Sequence, residues 1–150
     1  MKRRIKYGLF FCAVLLLSSC IENVTSTIPD YPVRLNLNLL TEYAIFRNST
    51  GESLVFEERI KETDRIGFGG VLVCTNYEGK YLAFDLACPY EAKQDVRVEV
   101  DGFFVECKEC GSRFNFYTSD FALPDKGPSK QGLKKYKTAL SPNGILQIYH

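Results

Sequence analysis

The chemistry in this chain is concentrated in two short stretches, "ACPYE" at 87–91 and "CKECGS" at 107–112. They place Cys88, Cys107 and Cys110 on two loops. The Cys-x-x-Cys spacing of 107 and 110 lets two sulfurs reach one ion. Thiols of this kind ligate zinc or iron, close into a disulfide, or cycle as a dithiol pair. Tyr90 and Glu91 add oxygen donors to the first loop. Histidine is the missing type, since the single one is His150 at the end of the sequence. Neither a Ser/His/Asp nor a Cys/His pair can therefore form inside the domain. The expectation is an electron carrier or a binding module rather than a catalyst.

The elements that must position these thiols read as strands. "VRLNLNL" at 33–39 alternates apolar and polar residues with period two, as a half-buried strand does. Leu54–Phe56 is a short second candidate. The charged run 57–65 is expected to be a surface loop. "VLVCT" at 71–75 and "YLAFDL" at 81–86 flank a glycine-containing turn. "VRVEV" at 96–100 and "FFVEC" at 103–107 flank Asp101-Gly102, which suits a type I′ turn and places Cys107 opposite Val96. "RFNFY" at 113–117 alternates again, and a last hairpin is predicted around "SPNG". No convincing helical period follows the leader. Short strands at regular spacing predict an all-β sandwich or small barrel. In the 71–86 hairpin Cys74 falls opposite Tyr81–Leu82, roughly 20 Å along the strand from Cys88. It is therefore expected to be a small core residue rather than a fourth ligand.

The ends bound the compartment. Lys2, Arg3, Arg4 and Lys6 precede an apolar run from Gly8 to Leu17, too short to span a bilayer as a helix. "LSSC" at 17–20 resembles a bacterial lipobox. That resemblance implies a signal peptide over 1–19, lipidation of Cys20, a tether over 20–30 and a β domain over 31–150. The anchor would tie the protein to a membrane of the bacterial cell envelope, with Ile21 favouring the outer membrane. Beyond the leader, 15 basic residues face 18 acidic ones, a net charge of −3 that is no nucleic-acid footprint.

With the loops and hairpins in place, "CPYE…CKECGSRFNFY…KGPSKQGLKKYKT…GILQIY" resembles the Rieske iron–sulfur family over residues 68–150. The family's two cluster loops run C-x-H and C-x-x-H-G-S, followed by an aromatic strand and a Gly-Pro loop. Cys88 and Cys107 match the two cysteines, Gly111-Ser112 the Gly-Ser, Phe114 the aromatic, and Gly127-Pro128 the loop that covers the cluster. The resemblance implies a Rieske-like fold with a two-loop tip, an iron–sulfur function and an unidentified protein partner. Tyr90 and Cys110 occupy the two histidine positions. A His₂Cys₂ cluster is therefore excluded. An oxygenase of the family would also need a separate catalytic iron domain, for which this chain leaves no length.

Four readings of Cys88, Cys107 and Cys110 stay open. They hold a single zinc or iron ion, with Tyr90, Glu91 or water as fourth ligand. They hold a variant [2Fe–2S] cluster, with Tyr90 phenolate in an unusual role. Two of them form a disulfide that closes the tip of a cluster-free structural or interaction domain. Or Cys107 and Cys110 form a reversible dithiol. Tyr90 is otherwise expected to fill the space of the missing cluster. Glu91 and Glu106 are expected to be solvated, as are the five lysines of 126–137.

Overall fold

The computed structural model describes residues 26–150, so the predicted leader, Cys20 and the first part of the tether lie outside the described residues. The described chain is all-β. In order its strands are β1 (Val33–Asn38), β2 (Ser53–Phe56), β3 (Arg65–Ile66), β4 (Val71–Thr75), β5 (Tyr81–Asp85), β6 (Val98–Asp101), β7 (Phe104–Cys107), β8 (Arg113–Asn115), β9 (Leu123–Lys126), β10 (Lys135–Leu140) and β11 (Ile145–Tyr149). A single 3₁₀ turn, Ala44–Asn48, interrupts them. No helix among the described residues is long and apolar enough to cross a membrane.

Seven strands form one curled sheet in the order β2-β4-β5-β10-β11-β1-β3, and β6-β7-β8-β9 form a second. All pairings are antiparallel. The β4–β5 hairpin is the shared wall. Val71, Val73 and Ala83 face a core with Leu35, Leu37, Tyr136, Leu146 and Ile148. Leu72, Cys74, Leu82 and Phe84 face a second core with Val98, Val105, Phe114 and Phe116. Burial on both faces explains why "VLVCT" and "YLAFD" are nearly unbroken apolar runs, whereas β1 alternates. Cys74 pairs with Leu82 and is fully buried, as its place in the hairpin predicts.

One predicted turn is displaced. Asp101 pairs with Phe104, so the two-residue loop is Gly102-Phe103. Gly102 takes φ +60° and Phe103 stays outside the left-handed region, the order of a type II′ turn rather than I′. Asp101 thereby remains in the ladder, and Cys107 pairs with Val98 instead of Val96. The register moves by two residues, so every side chain keeps its face. Strand β9, which the sequence reading did not identify, pairs with β8 through a register irregularity at Arg113/Phe114.

The two sheets are joined just past β5. Val98 N–H donates to Leu86 O, Cys88 N–H donates to Val96 O, and Ala87 bridges Arg97. What holds this junction is the buried carboxylate of Asp85. Its Oδ1 accepts from Gly69 N–H at 2.9 Å and Ala87 N–H at 2.7 Å, and its Oδ2 accepts from Phe68 N–H at 2.8 Å and from the Tyr136 hydroxyl. Burial, and the charge of Asp85 beside it, push the Tyr136 hydroxyl well above its ordinary range, which keeps it a donor. In Asp85→Asn one oxygen becomes a second donor facing Phe68 N–H. The expected result is a loss of about 2–4 kcal/mol, read as a lower denaturation midpoint by circular dichroism. An unchanged midpoint would remove Asp85 as the organising group.

Candidate metal centre

Cys88 follows the β5 junction, and Cys107 closes β7 directly across from Val98. Both thiols are fully buried, and Cys110 is half-buried. The two loops are built alike. Cys88 O accepts from Ala92 N–H and Cys107 O accepts from Gly111 N–H, each at 2.8 Å and each spanning four residues. Ala92 and Gly111 then both turn back in the left-handed region, at φ 52° and 70°. In this equivalence Glu91 occupies in the first loop the position that Cys110 occupies in the second.

The result is a convergence of sulfur. The three Sγ atoms all lie within 4.8 Å of one another, and Cys88 and Cys110 are 3.7 Å apart. A tetrahedral ion with sulfur bonds of about 2.3 Å has sulfur–sulfur edges of about 3.8 Å. The set therefore closes on one ion with small side-chain movement. The four described cysteines are free thiols.

The thiols differ in acidity. Burial dominates at Cys88 and pushes its pKa up to about 12, although the backbone amides of Glu91 and Tyr90 hydrogen-bond its sulfur and pull the other way. At Cys110 burial also opposes ionisation, but hydrogen bonds from the Ser112 hydroxyl and amide and from the Cys107 and Cys88 thiols outweigh it, so its pKa is lowered. Cys110 Sγ and Ser112 Oγ are 3.2 Å apart. Ser112 Oγ accepts from Ser129 N–H at 3.0 Å, which leaves the hydroxyl proton free for a Cys110 thiolate. Buried Cys74, in the same core, has its pKa raised by burial, as expected of an inert core thiol.

The Gly-Pro loop lies against this centre. A Cβ on Gly127 would sit 2.4 Å from Ser112 Cα and 2.7 Å from Gly111 O, so only glycine permits the approach, and φ is +88° there. The cover expected of Gly127-Pro128 thus meets the backbone of the second cysteine loop.

Other expectations are corrected. Tyr90 is 55% exposed and does not fill the tip; the buried sulfurs and the apolar side chains behind them already occupy it, and Tyr90 contributes its amide instead. In the second loop Gly111 N–H serves the Cys107 carbonyl, and the Ser112 amide reaches Cys110 Sγ. Glu91 is partly buried and faces Lys93 at 3.7 Å, and Glu106 faces Lys108 at 3.1 Å. Lys134 is no solvated lysine: its side chain is 7% exposed and its Nζ is held by Ile28 O, Pro29 O and Asp30. His150 pairs with Asp30 and stands edge-on to Tyr136, outside the sulfur group.

Sequence reasoning missed Asp85, Ser112's hydroxyl and Lys134. Asp85 had a signal: a lone carboxylate within the apolar run "YLAFDLA" must find donors if it is buried.

A two-iron cluster needs four protein ligands; three sulfurs are gathered, and no imidazole is near them. A single tetrahedral ion with one position left for water or an oxygen donor fits the same three sulfurs.

No family model matches the chain, and no curated protein does. Among solved structures it is similar to a chain of the complex of reduced oxygenase and oxidised ferredoxin in carbazole 1,9a-dioxygenase, at 15% identity over 67% of this chain and 90% of that one, with a TM-score of 0.41. It is similar also to a Sphingomonas yanoikuyae B1 ferredoxin, at 19% identity over 68% of this chain and 88% of that one, with a TM-score of 0.41.

The asymmetry between the thiols is testable. Ser112→Ala removes the leading hydrogen bond that holds Cys110 below its ordinary pKa, so the pH midpoint of Cys110 alkylation is expected to rise. A midpoint that stays in place would show that the hydroxyl does not set Cys110 acidity.

Proposed function

We propose that this chain is a metal-binding module in which Cys88, Cys107 and Cys110 hold a single zinc or iron ion at the tip of a Rieske-like β scaffold. The observation that carries the reading is the gathering of three Sγ atoms within 4.8 Å, with one pair at the edge length of a sulfur tetrahedron. Two similarly built loops, the Gly-Pro cover and the motif order "CPYE…CKECGS…KGP" support the Rieske-like scaffold. The lipobox-like "LSSC" supports attachment through lipidated Cys20 to a membrane of the bacterial cell envelope. With iron bound, the module would carry electrons to a protein partner; with zinc, it would serve structure or metal handling. The competing reading is a metal-free interaction domain with a packed thiol tip, and the full burial of Cys88 and Cys107 favours it.

Metal content per chain, measured after purification without oxygen or chelator, separates these readings. One zinc or iron per chain is expected, lost in Cys107→Ser while the fold remains. Two irons with visible absorption would replace the single ion by a variant cluster. A metal-free protein would favour the packed tip. Binding must also tighten as pH rises. Cys88, with its pKa near 12, carries a proton at neutral pH that the ion must displace, so each proton released adds about tenfold in affinity per pH unit. Titration with zinc between pH 6 and 8 checks the slope, and a flat profile would exclude thiolate ligation.

Glu91 offers a gain-of-function test. Since it matches Cys110 in position, Glu91→Cys is expected to complete a four-thiolate set. Cobalt binding would then tighten by tenfold or more, with stronger sulfur-to-cobalt absorption. Unchanged affinity and spectrum would mean that the two loops are not equivalent around the ion.

A further inference from the structure

Residues expected to be a free tether are part of the tip. Ile28 is 1% exposed. Thr27 Oγ1 donates to the carbonyl of Pro89, inside the first cysteine loop. Thr27 N–H donates to Gln131 Oε1 at 3.2 Å, in the loop that begins with Gly127-Pro128. That loop is tied in turn to the second cysteine loop, because Ser129 N–H donates to Ser112 Oγ and Ser129 Oγ donates to Gln131 O at 2.9 Å. A hydrogen-bonded belt therefore runs from Cys110 through Ser112, Ser129, Gln131 and Thr27 to Pro89, next to Cys88. Lys134 fastens the belt. Its buried ammonium donates to Ile28 O and Pro29 O, each at 3.0 Å, and to the Asp30 carboxylate. Each of these acceptors lies in the 28–30 segment, so that segment is what accommodates a buried charge.

We propose that Ser26–Asp30 is a strap that holds the two cysteine loops closed over the sulfur centre, with Thr27 and Lys134 as its positioning residues. The inference rests on the metal-binding reading for its ligand but not for its geometry. The strap joins the first cysteine loop, at Pro89, to the loop that follows Gly127-Pro128, at Gln131. Opening it separates the Cys88 loop from the cover, admits solvent or reagent to the buried thiols, and lets a bound ion leave.

The test uses the full chain in mild detergent and three variants, Thr27→Val, Thr27→Ser and Lys134→Met. Two rates are measured: alkylation of Cys88 in the metal-free protein, and release of cobalt to a chelator in the loaded protein. Thr27→Val keeps shape and deletes one hydroxyl, so both rates are expected to rise about fivefold. Thr27→Ser should restore the native rates, and the global denaturation midpoint should shift little. Lys134→Met is expected to exceed Thr27→Val in both rates. Should Lys134→Met fail to fold, Thr27→Val decides alone. Rates in folded Thr27→Val within twofold of the parent overturn the strap. A parent that binds no cobalt overturns the metal reading, and the Cys88 alkylation rate still decides the strap.

Discussion

The junction of the two sheets depends on one buried carboxylate. Asp85 gathers three backbone N–H groups and one hydroxyl, and these come from the loop before β4, from the residue after Leu86 and from β10. A buried charge is tolerated because donors surround it. The consequence reaches the centre directly. Ala87 is pinned by Asp85 one residue before Cys88, so the first sulfur leaves the sheet at a fixed point. The second sulfur is fixed by the β6–β7 register that sets Cys107 against Val98, and the start of β6 also bonds to Leu86 and Cys88. A hydrogen-bond hub and a strand register, joined through the 86–88 and 96–98 segments, together place the two sulfurs.

Within the centre the balance between burial and hydrogen bonding decides which thiol ionises first. Cys88 is in deeper surroundings and burial wins, even with two amides directed at its sulfur. Cys110 lies nearer solvent, and Ser112 supplies both a hydroxyl and an amide, so hydrogen bonding wins. Three negative charges within 4.8 Å would repel one another strongly with no cation between them. An arriving cation would meet Cys110, the most exposed of the three, and would have to displace the proton of Cys88.

Much of this was legible in the sequence, and the limits have physical causes. The period-two pattern of "VRLNLN", the 71–86 hairpin and the pairing of Cys74 with Leu82 follow from alternation and turn residues. The meeting of the two cysteine loops followed from hairpin geometry and from the motif. The exact turn is not legible because one glycine serves either turn type, and only the ladder partner of Asp101 decides between them. The position of Tyr90 matches a ligand in the family the sequence resembles, which points it toward the tip. Sequence position cannot tell whether a loop residue directs its ring inward or only its amide. Ser26–Asp30 looked like a linker because its composition is polar with a proline. What holds it is a lysine more than a hundred residues away, and such a contact leaves no local pattern.

The hydrogen bonding of the tip bears on how it would use a metal. Among the described residues no buried side-chain nitrogen or oxygen lacks a partner. The cysteine loops close through their own carbonyls, the cover loop bonds to Ser112, and the strap bonds to both sides. None of these contacts needs an ion to complete it. A small zinc domain that folds only when loaded draws its stability from the metal, because its loops have little else to hold them. Here two apolar cores and the Asp85 hub hold the scaffold, and the sulfurs converge as a consequence. An ion would therefore bind a preformed site, its affinity set by proton displacement and by access past the strap rather than by folding. Such a scaffold can retain its tip through changes of occupant. That is consistent with a chain whose first loop carries tyrosine and glutamate beside its cysteine while the second carries an extra thiol.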